Sequence, residues 1–201
     1  MTCVEPNHFD DTDGVVSPQP WMQWRRVAGQ VSLGVSGGYP PNGGGAKNDL
    51  IQVAQVTWTN NTPIAQNVYG LVTRGSAYMA LQARSRAYLA MSHGLAAGSG
   101  TPAVVEVSRF GGGIDTGLGG TLGNQVPYAV FEQRQSSRTL PLVPQLAGWT
   151  AVAPGASITG RVELRFVSDF WETQAAVSDE GSESNYVTGD TRLDLFAVPV
   201  L

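Results

Sequence analysis

The chain has 201 residues, 42% of them hydrophobic and 14% charged, with 25 glycines and 12 prolines. Glycine and proline exceed their usual share and charge falls below the ~25% of an average domain, which excludes a long helical bundle or coiled coil. The ordinary apolar fraction excludes wholesale disorder, and a net charge of −4 with no basic run longer than Arg25-Arg26 argues against a nucleic-acid binder, which needs a basic stripe.

In chain order, Met1 to Pro20 is polar and turn-like, with Asp10, Asp11 and Asp13 before Gly14 and prolines at 18 and 20. Trp21 to Trp24 alternates as a strand would, and Val31 to Val35 reads as a short strand. Gly34 to Gly45 carries six glycines and two prolines and reads as a long loop. Leu50 to Thr59 is rich in Val, Ile, Thr and Trp and is the first strong strand, closed by the turn signal Asn60-Asn61-Thr62-Pro63. Asn67 to Arg74 is the next strand, and Gly75-Ser76 the next turn. Ala77 to Ser92 carries helix-forming residues but alternates with period two, so it is read as two strands, 77–84 and 86–92.

Pro102 to Phe110 reads as a strand, followed by a second glycine-rich loop over Gly111 to Gly123. Val126 to Arg134 and Thr139 to Val143 follow as a strand and an edge segment. Ser157 to Asp169 has the cleanest pattern: Val162, Leu164 and Phe166 on one face, Arg161, Glu163 and Arg165 on the other. Gln174 to Asp190 reads as an acidic loop, and Thr191 to Val200 as a closing strand. Nine to eleven strands with turn signals between them predict an all-β fold, an antiparallel β-sandwich or jelly-roll-like domain. The expected organisation is an extended N-terminal segment over 1–30 and one sandwich domain over 31–201, with long Gly-rich loops.

The chemistry-bearing residues are few. Cys3 is the single cysteine, which excludes an internal disulfide and a Cys-pair zinc site. Met1 to Asp13 has no apolar core of a secretory signal, and no stretch is long enough to span a bilayer as a helix; a soluble protein made in a cytoplasm is expected. His93 lacks the spacing of a nucleophile elbow. Asp10, Asp11 and Asp13 start like a calcium loop, but the twelfth place counted from Asp11 is Met22. Gly43-Gly44-Gly45-Ala46-Lys47 departs from the P-loop pattern at Ala46 and Asn48. Glu163, Asp169 and Glu172 supply carboxylates with no fixed separation. The chain is therefore expected not to be an enzyme and to need no cofactor or metal. Low charge suits surfaces covered by other subunits, and the candidate interface residues are Trp21, Trp24, Arg25, Arg26 and Trp171.

Three stretches carry a family resemblance. Pro20-Trp21-Met22-Gln23-Trp24-Arg25, the run from Asn60-Asn61-Thr62-Pro63 through Val68 to Gly75 and Leu81 to Leu89, and Pro154-Gly155 leading into Arg161 to Phe166 and Phe170-Trp171-Glu172 resemble minor tail proteins from phages of actinobacteria. The Arg-over-Lys skew, with Lys47 the one lysine, agrees. The resemblance implies a virion structural component at the tail or tail tip, synthesised in the host cytoplasm. Its expected partners are other virion proteins and further copies of itself, a trimer being favoured, with no nucleic acid and no membrane. A capsid decoration or head-fibre protein, and a carbohydrate-binding module for a host-surface glycan, stand as alternatives.

Overall fold

The computed structural model describes residues 9–12, 15–18, 25–39, 47–82, 85–113, 128–133, 136–140, 150–171 and 183–200. Among these residues there is no helix, and fifteen strands form: β1 (Phe9–Thr12), β2 (Val15–Pro18), β3 (Arg25–Ser32), β4 (Ser36–Tyr39), β5 (Lys47–Thr59), β6 (Gln66–Arg74), β7 (Ala77–Gln82), β8 (Ser85–Ala97), β9 (Val105–Gly113), β10 (Tyr128–Gln133), β11 (Ser136–Leu140), β12 (Thr150–Val152), β13 (Ser157–Trp171), β14 (Glu183–Thr188) and β15 (Thr191–Pro199). All pairings are antiparallel.

One layer of the sandwich is the sheet β5-β13-β8-β9. The facing layer is built from two sheets, β10-β7-β14-β4 and β11-β6-β15-β3, with β12 also pairing with β6. Period-two alternation decides which side chains meet between the layers. From the first layer come Ala54, Leu89, Met91, Val162, Leu164 and Phe166, and from the second Val72, Met79, Leu81, Tyr186 and Leu193. A second cluster of Val68, Leu95, Val152, Ile158, Leu195 and Ala197 fills the other end, with Trp58 packed against it. Gly160 lacks the side chain that would press on Leu193, Leu195 and Leu95, so those leucines close over β13.

The two sheets of the second layer are tied by one ribbon. Residues 66–74 pair with 191–199, and residues 77–82 pair with 183–188, in a single unbroken register. Between them Gly75 N–H donates to the Asp190 carbonyl and Gly189 N–H to the Ser76 carbonyl, both at 2.7 Å. A Cβ on Gly75 would lie 2.9 Å from the Gly189 Cα, and one on Gly189 would lie 3.0 Å from the Gly75 Cα. Only two glycines let the backbones pass this closely. Gln52 seals the crossing from below. Its buried amide donates to the carbonyls of Leu33 (2.7 Å) and Gly189 (3.1 Å), and its oxygen accepts the Thr191 hydroxyl at 3.2 Å.

A second buried polar knot closes the end of the sandwich. Asn60 Nδ2 donates to the Ile64 and Val152 carbonyls, each at 2.8 Å, while Oδ1 accepts from Thr62 N–H and the Thr62 hydroxyl. The glycosylation-like triplet at Asn60 is thus a turn whose amide is fully buried and fully bonded.

The all-β sandwich agrees with the expected class, and Ala77 to Ser92 is indeed two strands. Several expected boundaries are corrected. β4 lies inside the stretch read as a Gly loop, because the space at Gly37 is taken by the ring of Tyr186 on β14, where a Cβ would strike the phenol. β14 lies inside the stretch read as an acidic loop, since among its described side chains Tyr186 and Thr188 alone face inward. Asp10 and Asp11, read as a turn, are strand residues paired with Ser17 and Val16. Gly111 to Gly113 extend β9, and the rest of that Gly-rich stretch lies outside the described residues, as do 40–46. The 30/31 boundary falls within β3, which pairs with β15.

Candidate functional site

The outward face of the five-stranded sheet is the best-defined polar surface. The register aligns three outward rows: Tyr69, Leu71, Thr73 and Gly75 from β6 and its turn; Phe196, Asp194 and Arg192 from β15; and Arg26, Gly29 and Val31 from β3. A register shift between Leu195 and Phe196 brings Arg26 onto this face. Tyr69 and Phe196 are cross-strand partners with stacked rings, 5.3 Å between centroids and 13° between planes. Beside them Asp194 is clasped by two guanidinium groups. Arg26 Nε holds Oδ1 at 2.5 Å and Arg192 Nε holds Oδ2 at 2.6 Å, leaving the carboxylate buried beneath two half-exposed arginines. Gly29 faces Asp194 across the strand pair, and a Cβ there would collide with both the Arg26 guanidinium and the carboxylate.

Past this clasp the face sinks into a hollow of about 430 Å³ lined by Val31, Thr73, Gly75, Asp190, Arg192 and Asp194. The cause is local: the outward row of β6 ends at Gly75, where the ribbon crossing forbids a side chain. Asp190 stands at the rim, its Oδ1 accepting Gly34 N–H at 2.8 Å.

The outward face of the other layer carries a matching clasp. Glu163 is bound by Arg161 Nε (2.8 Å) and Arg165 Nε (3.0 Å), and Arg161 also donates to Gln55 Oε1 at 2.7 Å. Burial pushes the Glu163 carboxyl up, but the hydrogen bonds and charges of Arg161 and Arg165 outweigh it and hold its pKa below the usual carboxylate range. A group held ionised in this way is unsuited to act as a general acid. Next to this clasp Arg109 lies over the Tyr88 ring, 5.4 Å from its centroid, and pairs with Glu106. At the β5 edge Leu50 and Val53 are exposed, and Leu33, which follows β3 in the facing layer and whose carbonyl is held by Gln52, is 72% exposed.

The residues singled out in the sequence are distributed as follows. Arg25 and Arg26 open β3, paired with Ala197 and Phe196. Trp171 ends β13, paired with Ser85. Ala197 shares a core cluster with Ile158 at the start of β13, so about 40 Å of strand separates the arginines from Trp171 at ~3.3 Å per residue. The fold therefore does not bring these candidates into one patch. Trp21 and Trp24 lie outside the described residues, as do Glu172, Asp13 and Gly14. His93 is buried in the core on β8, opposite Val162 and away from the hollow. Among the described residues no three His, Cys, Asp or Glu side chains stand together to hold a metal ion. Sequence reasoning missed Asp194, Arg192, Thr73 and Gln52. The one local signal was the Arg-x-Asp spacing at Arg192 and Asp194, which places both on one face of a strand.

Fold and faces together define an all-β sandwich whose polar groups are gathered on the outer faces of its sheets. The chain belongs to the family described as Domain of unknown function (DUF7172), which matches residues 1–201. No curated protein matches it. Among solved structures, one titled "Structure of infectious bursal disease virus Gx strain" superposes with a TM-score of 0.17 at 9% identity. The superposition covers 99% of this chain and 45% of that one, a level that unrelated folds also reach.

Proposed function

We propose that the chain is a structural component of a phage virion, a minor tail or tail-tip protein that acts by packing against other subunits rather than by catalysis. The observation that carries this reading is the apolar group at the β5 edge. Leu50 and Val53 are exposed on β5, which among the described residues is an edge strand paired on one side by β13, and Leu33, whose carbonyl is bonded by Gln52 of β5, is exposed as well. Open edges and exposed apolar groups are what a monomer removes and an assembling subunit uses. The resemblance to minor tail proteins supports the placement in a tail, and it runs through Asn60, Thr62 and Arg161 to Phe166, residues that build the sandwich itself.

The test is the mass of the purified protein by light scattering behind gel filtration, with mass spectrometry of purified particles. A closed oligomer, a trimer first of all, is expected, and the double substitution Leu33→Asp with Leu50→Asp is expected to yield a monomer of unchanged thermal stability. A wild-type monomer that is also absent from particles would overturn the proposal.

A further inference from the structure

The charge of the chain is unevenly placed. Glu5, Asp10, Asp11 and Asp13 precede the first basic residue, Arg25, so residues 1–24 carry the whole net charge of −4, and residues 25–201 hold twelve acidic and twelve basic side chains. The same segment contains β1 and β2, which pair with each other and with no other strand among the described residues. A two-stranded ribbon of this length is marginal in water and needs a surface to lie on. The outward face of the four-stranded sheet supplies one of opposite charge. Its register lines up Leu50, Arg165, Ala90 and Arg109 in one cross-strand row and Val53, Glu163, Ser92 and Glu106 in the next. Register shifts in β5 and β9 turn Leu50 and Arg109 onto this face. With Arg161, three guanidinium groups stand against two carboxylates, and Glu163 is buried beneath Arg161 and Arg165. Arg165 is a third exposed and Arg109 half exposed, so the balance that reaches solvent is positive.

Guanidinium groups take carboxylates in a fixed fork geometry. Residues 4–18 combine four carboxylates with Val4, Phe9, Val15 and Val16, and the face combines its arginines with Leu50, Val53 and the Tyr88 ring beneath Arg109. We propose that the outward face of the four-stranded sheet receives the acidic N-terminal segment, residues 4–18, of a second copy of the chain. The chain's own segment is poorly placed for it. Gln30 meets Gln55 and the Leu33 carbonyl meets Gln52, so β3 and β5 run in opposite directions and Arg25 stands level with residue 60. Leu50 is then about 33 Å along β5 at ~3.3 Å per residue, and Arg109 is three strand spacings further across, about 14 Å, on the far side of a layer ~10 Å thick. Asp11, level with Val16 in the ribbon, lies at most about 32 Å from Arg25 with every residue between fully extended. A segment turned back onto its own face would be taut, whereas an adjoining copy can present its face where the segment emerges. An arm of one copy on the face of the next is a heterologous contact, the kind that closes into rings, as the expected trimer requires. The proposal rests on the subunit-packing reading and names the two surfaces that meet.

The test uses the full chain with a nitroxide attached at Thr12→Cys, Cys3→Ser removing the single native thiol. This chain is mixed with nitrogen-15-labelled chain that carries no nitroxide. The amides of Leu50, Ala90, Arg109 and Arg165 in the isotope-labelled copies are expected to broaden, and to sharpen again when the nitroxide is reduced. Asp10→Lys with Asp11→Lys, and separately Arg109→Glu, should each weaken self-association about tenfold in sedimentation equilibrium. The two charge-reversed chains mixed together should associate more tightly than either alone. All variants are checked by thermal melting, and Arg109→Gln replaces Arg109→Glu if the latter does not fold. Three results would overturn the proposal: a wild-type oligomer whose face amides stay sharp in the mixed sample; broadening seen only when nitroxide and isotope share one chain, which puts the segment on its own copy; or charge-reversed chains that associate as wild type does. In each of these the mass of the wild-type oligomer still stands, so the packing reading survives; a monomeric wild type ends both.

Discussion

Replacing Asn60 by alanine tests whether the buried turn closes the sandwich. The wild-type side chain satisfies the Ile64 and Val152 carbonyls, the Thr62 N–H and the Thr62 hydroxyl. In the variant the Thr62 hydroxyl can still donate to the Ile64 carbonyl, a contact of 2.9 Å in the native turn. Two groups then remain stranded, the Val152 carbonyl and the Thr62 N–H. Each buried orphan costs about 1–3 kcal/mol. Thr62 is 9% exposed and Asn61 beside it faces solvent, so water reaches the N–H in part and the lower half of the range applies, about 2–4 kcal/mol. For a chain of this size a loss of ~3 kcal/mol lowers Tm by roughly 6–12 °C. Thermal melts by circular dichroism, with Asn61→Ala as the exposed control expected within about 0.5 kcal/mol of wild type, measure the difference. If Asn60→Ala melts with Asn61→Ala, the knot does not hold the end of the fold and the accounting above is wrong.

Three further outcomes are expected. Gly75→Ala and Gly189→Ala each force one ribbon backbone away from the other and should lose about 1–3 kcal/mol in urea unfolding, whereas Gly100→Ala, with open space around it, should be neutral or slightly stabilising. Glu163 has its folded pKa depressed by Arg161 and Arg165. In the acid range the unfolded chain therefore binds more protons than the folded one, and the stability Glu163 contributes is present above its unfolded pKa and lost as pH falls through its folded pKa. Urea unfolding from neutral pH down through that range should show a loss that Glu163→Gln makes shallower; identical slopes would refute the clasp. Leu164→Ala, in the centre of the larger core cluster, should cost about 2–5 kcal/mol, measurable as a shift in urea midpoint at constant slope.

How much of this was legible depends on how locally each feature is encoded. β13 was readable because Val162, Leu164 and Phe166 face the core while Arg161, Glu163 and Arg165 stay outside, so sequence alternation and burial coincide. β4 and β14 were not readable because each is a strand by virtue of its partner. Ser36 to Tyr39 carries two glycines, and its extended pairing depends on a phenol from Tyr186 lying where a Cβ would be. Glu183 to Thr188 looks like an acidic loop because Glu183, Ser184 and Asn185 open it with polar residues and its outward Val187 is exposed, which leaves no run of alternating apolar residues. The clasp at Asp194 was half readable. Arg192 lies two residues away and shares its face by strand period, but Arg26 is 168 residues distant and reaches the carboxylate only because a register shift turns it outward and Gly29 leaves the space.

The position of the hollow follows from the same ribbon that joins the two sheets. A ribbon that leaves one sheet and enters another without changing register needs a point where the two backbones come closer than Cβ atoms allow, and Gly75 against Gly189 is that point. A missing side chain at the end of an outward row is also a depression in the sheet surface, and its walls are whatever the neighbouring strands present in that row, here Thr73, Arg192 and Val31. The glycine is thus fixed by the fold, while its surroundings are free to vary. Val31 has no core role that requires an isopropyl group, so substitution there changes the surface of the hollow without touching the crossing, whereas Arg192 also holds the buried Asp194 carboxylate. Unfolding measured on Gly75→Ala and on Val31→Ala therefore separates the two: the first strains the crossing, and the second, at a half-exposed position, should stay within about 0.5 kcal/mol of wild type.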